Sequence, residues 1–407
     1  MPTLGCLNKK LIWVGLLLVC LMATQLSCNG NGSEGNGTAD ENGNEGDGQA
    51  EIIIPDDQST IDAGIMAADD GDLILIRPGV YYENLTLQDK KITLASWYHI
   101  GKQERYIEET IIDGDGDTVI VAKDGAGGTK ISGLTIRNGN DGINVKANIK
   151  ILNCRFIDNH DGVDYEAGGG TCSFNVFSSN SDDGIDLDGP VAVTINGNII
   201  QNNGDDGIEI RLHPYSGAVL DIVVSGNEIS GNQEDGIQLI DYPEMSDRAI
   251  RIERNLIVNS KMAAIGFMGD GNTHEDFSGA PIPEPVHIFN NTLIGNGYGI
   301  IGGANVVAVN NIISQTSFSA MRNIIADSIV SYSLFWNNGI DYENSHIDFN
   351  TIILSDPLID ADYSLSAGSP AIDAGTATFW WKGETVLDIP PEMFKGPAPD
   401  IGAIETN

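Results

Sequence analysis

One phrase recurs along the chain: "NGNDGINV" (138–145), "DNHDGVDY" (158–165), "NSDDGIDL" (180–187), "NNGDDGIEI" (202–210) and "NQEDGIQL" (232–239). The Asp before each Gly falls at 141, 161, 183, 206 and 235, so the separations are 20, 22, 23 and 29 residues. A self-similar period in the low twenties marks stacked units, none of which can bury its apolar face alone.

A second alignment runs through "CRF", "NVF", "NII", "NEI", "NLI", "NTL" and "NII", which begin at Cys154, Asn175, Asn198, Asn227, Asn255, Asn291 and Asn311. Three residues before each lie Ile151, Cys172, Ile195, Val224, Ile252, Ile288 and Ala308, all small or apolar. Apolar alternation lasts three to five residues at a time and is broken by Asn and Gly, which is strand periodicity with turns. The 49 glycines and 7% aromatic content fit short strands better than helices. These features predict an all-β fold, a single-stranded parallel β-helix with coils of roughly twenty residues stacked about 4.8 Å apart. Identical residues in successive coils then form ladders, and Asn suits an inward turn because it tolerates a left-handed backbone and bonds the Asn of the next coil. Cys154 and Cys172 occupy different columns, so no disulfide is expected between them.

This periodicity resembles the right-handed parallel β-helix repeat of pectate lyases, polygalacturonases and many bacterial surface proteins. Residues 59–96 are similar to the opening of such folds, with a short capping helix near 60–69, a first strand "LILI" and the turn "PGVYYENL". "DPLIDADYSLSAGSPAIDAG" (356–375) and "PDIGAIE" (399–405) are similar to the closing segment of secreted bacterial β-helix proteins. The helix is expected to cover one open end, and the tail from about Trp380 to Pro399 to cover or flank the other.

Residues 1–28 read as an export signal: Lys9 and Lys10, the apolar run "LIWVGLLLVCLMA", then small and polar residues. "QLSC" ending at Cys28 partly resembles a lipoprotein cleavage box, with Gln25 where an aliphatic residue is usual. Residues 29–50 form an acidic Gly/Asn-rich tether that cannot fold. The expected organisation is therefore signal 1–28, tether 29–50, β-helix 51–379 and a C-terminal capping or irregular tail 380–407. The protein is expected to be exported to the cell surface or beyond, monomeric, and attached to a membrane only through a lipid at Cys28. A net charge of −37 argues against nucleic acid and against anionic lipid as partners.

In each repeat the Ile or Val after Asp-Gly points inward, so the next residue points out. This outward column reads Asn144, Asp164, Asp186, Glu209 and Gln238. A second, two residues on, reads Lys146, Glu166, Asp188, Arg211 and Ile240. The turn adds Asp141, Asp161, Asp183, Asp206 and Asp235, preceded in the later coils by Asp182, Asp205 and Glu234; Ala264 and Gly299 are expected to end the column. Two carboxylates about 4.8 Å apart repel by roughly 1 kcal/mol in water and about 3.5 kcal/mol at an effective dielectric of about 20. A stack of them calls for protonation, a bound cation, or side chains splayed into solvent. Oxygen-only ligands suit Ca²⁺, which takes about six to eight. The candidate metal ligands are Asp164, Asp182, Asp183, Asp186, Asp205, Asp206 and Glu209. A solvated acid face is the competing reading, and the turn aspartates alone are explained by capping of their own turns. Asp164, Asp186 and Glu209, expected on a flat exposed strand, are not.

"NSDDGIDL" resembles the Asp-Asp-Gly calcium motif of one pectate lyase class, which implies a Ca²⁺-assisted lyase with a Lys or Arg base. Arg211, His213 and Lys146 are the candidate catalytic residues, with Tyr215, Asp188 and Glu166 as substrate contacts. Arg211 paired with Asp188 or Glu209, and His213 as an ordinary loop histidine, are the plainer readings. The Gly-His-Gly and Arg-Ile-Lys elements of polygalacturonases and the Asp-Pro-His-Asp signature of mannuronan epimerases are absent. The insertion at 272–287 carries His274, Glu275, Asp276 and His287 without paired metal-ligand spacing, so a wall of the cleft is expected there. Exposed "FWW" (379–381) suits sugar stacking or packing on the last coil. Two functions stay open: a secreted or surface-anchored protein that binds or processes acidic polysaccharide as a lyase or glycoside hydrolase, or a non-catalytic surface adhesin or envelope solenoid.

Overall fold

A computed structural model describes residues 51–274 and 278–406. The export signal, Cys28, the tether, Glu275 and Asp276 lie outside the described residues. The rest winds as a right-handed parallel β-helix of three long parallel sheets with 12, 11 and 12 strands among the described residues. Each coil supplies one strand to each sheet. Gly168–Ser173 joins the first sheet, Val176–Ser178 the third and Ile185–Leu187 the second, before Val191–Asn196 returns to the first. No helix among the described residues is long and apolar enough to cross a membrane.

Stacking keeps the register that the alignments imply. Ile143, Val163, Ile185, Ile208, Ile237, Ile265 and Ile300 fall directly above one another. All are fully buried in one continuous core, each worth roughly 1.5–3 kcal/mol of apolar burial. Phe156 and Phe177 stack at 4.7 Å between ring centroids.

The Asn column forms a ladder of amides between the first and third sheets. Asn198 Oδ1 accepts from the backbone N–H of Asn175 (2.9 Å) and from its Nδ2 (3.0 Å), and the pattern repeats through Asn227, Asn255, Asn291 and Asn311. Cys154 donates its N–H to Asn175 Oδ1, and both Cys154 and Cys172 are buried free thiols. The left-handed conformation falls one residue before the ladder, at Asn153, Phe174, Gly197, Gly226, Arg254, Asn290 and Asn310, not on the ladder residue itself. What the position asks of Asn is therefore its amide. A second ladder, Asn159–Asn180–Asn203–Asn232, turns the chain from the third sheet into the second.

Four of the five turn aspartates reach onward to the next coil. Asp161 Oδ1 accepts the backbone N–H of Asp183 (3.0 Å), Asp183 that of Asp206 (2.7 Å), Asp206 that of Asp235 (2.6 Å) and Asp235 that of Ala263 (2.5 Å). Each carboxylate thus rivets its coil to the next. Register puts Ala263 and Tyr298, not Ala264 and Gly299, where this column ends.

At one end, the helix Ile61–Ala67, capped by the Thr60 hydroxyl, packs Ile61, Gly64 and Ile65 inward. The strand Glu51–Ile54 precedes it and pairs with Leu73–Ile76, so "LILI" is the second strand of its sheet. At the other end, the last sheet strand is Ile353–Leu354, well before residue 379. The chain then runs back along the flank. The hairpin Thr378–Trp381/Glu384–Asp388 lays Leu387, Phe379 and Trp381 on Phe289, Val307 and Val309, while Leu365, Ala371 and Ile401 pack on Ile312 and Leu334. The tail flanks the solenoid, and the boundary expected at 380 falls inside this hairpin. Of "FWW", only Trp380 projects into solvent.

The Asn ladder predicts a cooperative loss. Asn227→Ala strips the acceptor from the Asn198 N–H and a donor from the Ile195 carbonyl. It should cost at least about 2 kcal/mol in urea unfolding, because buried polar groups are left unpaired; a loss below about 0.5 kcal/mol, typical of a surface change, would contradict the ladder's role.

Candidate functional site

The outward column of the second sheet exists in the expected register: Asn144 over Asp164, Asp164 over Asp186, Asp186 over Glu209, and Glu209 over Gln238. It is not a flat exposed face. Asp186 is 8% exposed and Glu209 3%. The neighbouring column closes over it. Arg211 Nε lies 2.5 Å from Glu209 Oε1 and 2.9 Å from Asp188 Oδ1. Asn144 Nδ2 donates to Asp164 Oδ2 (2.6 Å) and to Glu166 Oε1 (2.8 Å), and Lys146 Nζ pairs with Glu166 Oε2 at 2.7 Å.

Two trios of carboxylates result, each with ligand oxygens within 4.8 Å of one another: Asp183, Asp186 and Glu209, and Asp164, Asp186 and Asp188. Asp186 belongs to both. Among the described residues, the buried Asp164 Oδ1 and Asp186 Oδ1 accept no hydrogen bond. Burial, then the charge of Asp141, Asp188 and Glu166, pushes the Asp164 carboxyl up to about 7. Burial, then Glu209 and Asp188, pushes Asp186 up to about 9, with Arg211 opposing. Asp183 rises for the same reasons, burial first and then Glu209 and Asp186. Burial also raises Glu209, against the pull of Arg211.

Of the seven proposed ligands, Asp164, Asp183, Asp186 and Glu209 therefore come together, joined by Asp188 from the substrate set. Asp182 lies in a separate turn cluster, with its Oδ2 at 3.7 Å from His160 Nδ1, which in turn sits 3.2 Å from Asp161 Oδ2. Asp206, which accepts the Asp235 N–H, and Asp205, which faces Glu234, join no metal-ligating cluster among the described residues; burial and Glu234 push Asp205 up to about 7.

The three catalytic candidates are all engaged. Burial works against the charge of Arg211, but Glu209, Asp186 and Asp188 outweigh it and hold the guanidinium still more firmly protonated. Lys146 and Glu166 neutralise each other, and the Glu166 carboxyl is lowered by its bonds to Lys146 and Asn144. His213 stacks on Tyr242 at 4.1 Å, and burial lowers its pKa. Its carbonyl accepts from Arg248, which also reaches the Gly189 carbonyl and so ties the 211–217 connection to the Asp188 coil. Tyr215 opens the long first-sheet strand Tyr215–Ser225, half-buried. Sequence reasoning missed Tyr242 and Arg248, which sit in irregular sequence with no repeat to mark them, and took Asp161 only for a turn residue. His274 and His287 join no metal-ligating cluster among the described residues; His287 stacks on Phe289 instead.

Comparison with known proteins places this geometry in context. The family model described as "NosD: Periplasmic copper-binding protein (NosD)" matches residues 107–299. No curated protein matches the chain. Among solved structures, pectate lyase Pel9A superposes with a TM-score of 0.54 at 16% identity, covering 88% of this chain and 96% of that one. A PL6-family alginate lyase (TM-score 0.45, 14% identity, 84% and 57% covered) and the family 28 exopolygalacturonase of Yersinia enterocolitica (0.41, 12%, 74% and 78%) also match. The chain is a right-handed parallel β-helix protein of the pectate-lyase-like superfold.

The raised carboxyls set a pH dependence. An Asp at about 7 or 9 in the fold holds a proton that the unfolded chain releases near 4, so between those values the native state binds more protons and stability falls as pH rises. In chelator, the thermal midpoint should drop from pH 5 to pH 9, and Asp164→Asn/Asp186→Asn should flatten the slope. A midpoint that climbs over that range in the wild type would contradict the buried stack.

Proposed function

We propose that this is an exported β-helix protein whose second-sheet face binds an anionic polysaccharide through a hard divalent cation, Ca²⁺ being the best fit. The observation that carries the reading is the Asp183–Asp186–Glu209 trio, three buried carboxylates of which Glu209 is ion-paired to Arg211. At an effective dielectric of about 20, each such pair costs about 3.5 kcal/mol, which a divalent ion offsets. Asp164, Asp183, Asp186, Asp188 and Glu209 would hold it, and a bound Ca²⁺ supplies a positive charge for a uronate carboxylate. The apolar run at 11–23 and the periplasmic description of the matched family support export.

Copper, which that family's name would suggest, fits the residues poorly. Copper favours imidazole and sulfur donors. Of the three metal-ligating clusters among the described residues, one offers a single nitrogen, from His160, and none a cysteine. Cys154 and Cys172 are sealed in the core.

Binding is favoured over lyase chemistry because Arg211 and Lys146 are both consumed in ion pairs and Arg211 is held protonated, the wrong state for a base. Affinity electrophoresis tests the reading. Polygalacturonate or alginate in the gel should retard the protein in Ca²⁺ and not in chelator, with a neutral glucan inert. Indifference to every anionic polymer would sink it, and release of unsaturated uronate would restore the lyase reading.

A further inference from the structure

Asp186 stands at the centre of the acid stack, with Asp164 on the preceding coil and Glu209 on the following one. The two trios that share it differ in depth. Asp183 and Glu209 are 4% and 3% exposed, whereas the side chain of Asp188 is 40% exposed and Asp164 half-buried. Each trio contains a buried carboxylate oxygen that accepts no hydrogen bond among the described residues: Asp186 Oδ1 in both, and Asp164 Oδ1 in the outer one. Charge points the same way. Fully ionised, as ligands to a cation, the five carboxylates carry five negative charges and Arg211 returns one positive. One divalent ion leaves the stack two charges short of neutrality, and a second balances it.

We propose that the face holds two divalent cations bridged by Asp186: an inner one among Asp183, Asp186 and Glu209 that fastens successive coils, and an outer one among Asp164, Asp186 and Asp188 that meets the anionic ligand. This rests on the reading that the face takes a hard cation at all. The inner trio is continuous with the inter-coil rivets, since Asp183 Oδ1 already accepts the Asp206 N–H at 2.7 Å. An ion there couples two coils and raises thermal stability. The outer trio opens to solvent through Asp188, so an ion there keeps coordination positions for a sugar carboxylate.

Calorimetric titration of the full chain with CaCl₂ alone counts the ions, and Asp186→Asn locates them. The wild type should bind two more Ca²⁺ than Asp186→Asn. Asp188→Asn should bind one fewer than wild type, keep most of the Ca²⁺-induced rise in thermal midpoint, and lose retention on polygalacturonate about tenfold or more. Glu209→Gln should lose the thermal gain. A difference of one ion between wild type and Asp186→Asn overturns the two-ion site and leaves the single-cation reading intact. No Ca²⁺ binding in the wild type overturns both. Parallel loss of thermal gain and retention in Asp188→Asn would overturn the division of roles. Should a variant fail to fold, the wild-type stoichiometry still decides.

Discussion

Everything in this molecule hangs on vertical registration of one coil over the next. Parallel strand hydrogen bonds supply it along three sheets, but strands of three or four residues are short and easily slipped. The side-chain ladders fix it. Each ladder Asn offers one oxygen to two donors of the coil before it, so a slip by one residue would orphan several buried polar groups at once. The aspartate rivets do the same at the mouth of the second sheet. Register is thereby a property of the turns as much as of the strands.

The same registration forces acids distant in sequence into one column. Asp164, Asp186 and Glu209 are 22 and 23 residues apart, yet they pair directly across adjacent strands. On an open surface such a stack would splay. Here Arg211, with Asp188 beside it, closes over the column, and burial turns a mild repulsion into a demand for protons or a cation. Function and fold thus meet in the same coils. The inner carboxylates adjoin the rivets that hold the coils together, while the side chain of Asp188 is open to solvent.

Much of this was legible in the sequence. The Asp-Gly phrase and the Asn column predicted the coil length, the two outward columns and the vertical neighbours of Asp186, because a repeat writes its own register. Burial was not legible. Alternation tells which way a side chain points, not what lies over it, so Asp186 and Glu209 were expected on an exposed strand. The rivets were missed because an Asp before Gly explains itself locally as a turn cap, and only three dimensions show that its acceptor role is to the next coil. The second Asn ladder had a signal, an Asn three or four residues before each Gly of the phrase, that the louder Asp motif obscured. Arg248 and Tyr242, which brace the 211–217 connection, sit in irregular sequence where no period exists to betray them.

The central claim is that Asp183, Asp186 and Glu209 converge on one point and share a counter-ion. Anomalous diffraction from crystals grown in Ca²⁺ tests it most directly. The account predicts a strong anomalous peak among those three carboxylates. Side chains turned apart into solvent, with only water between them and no peak, would contradict it.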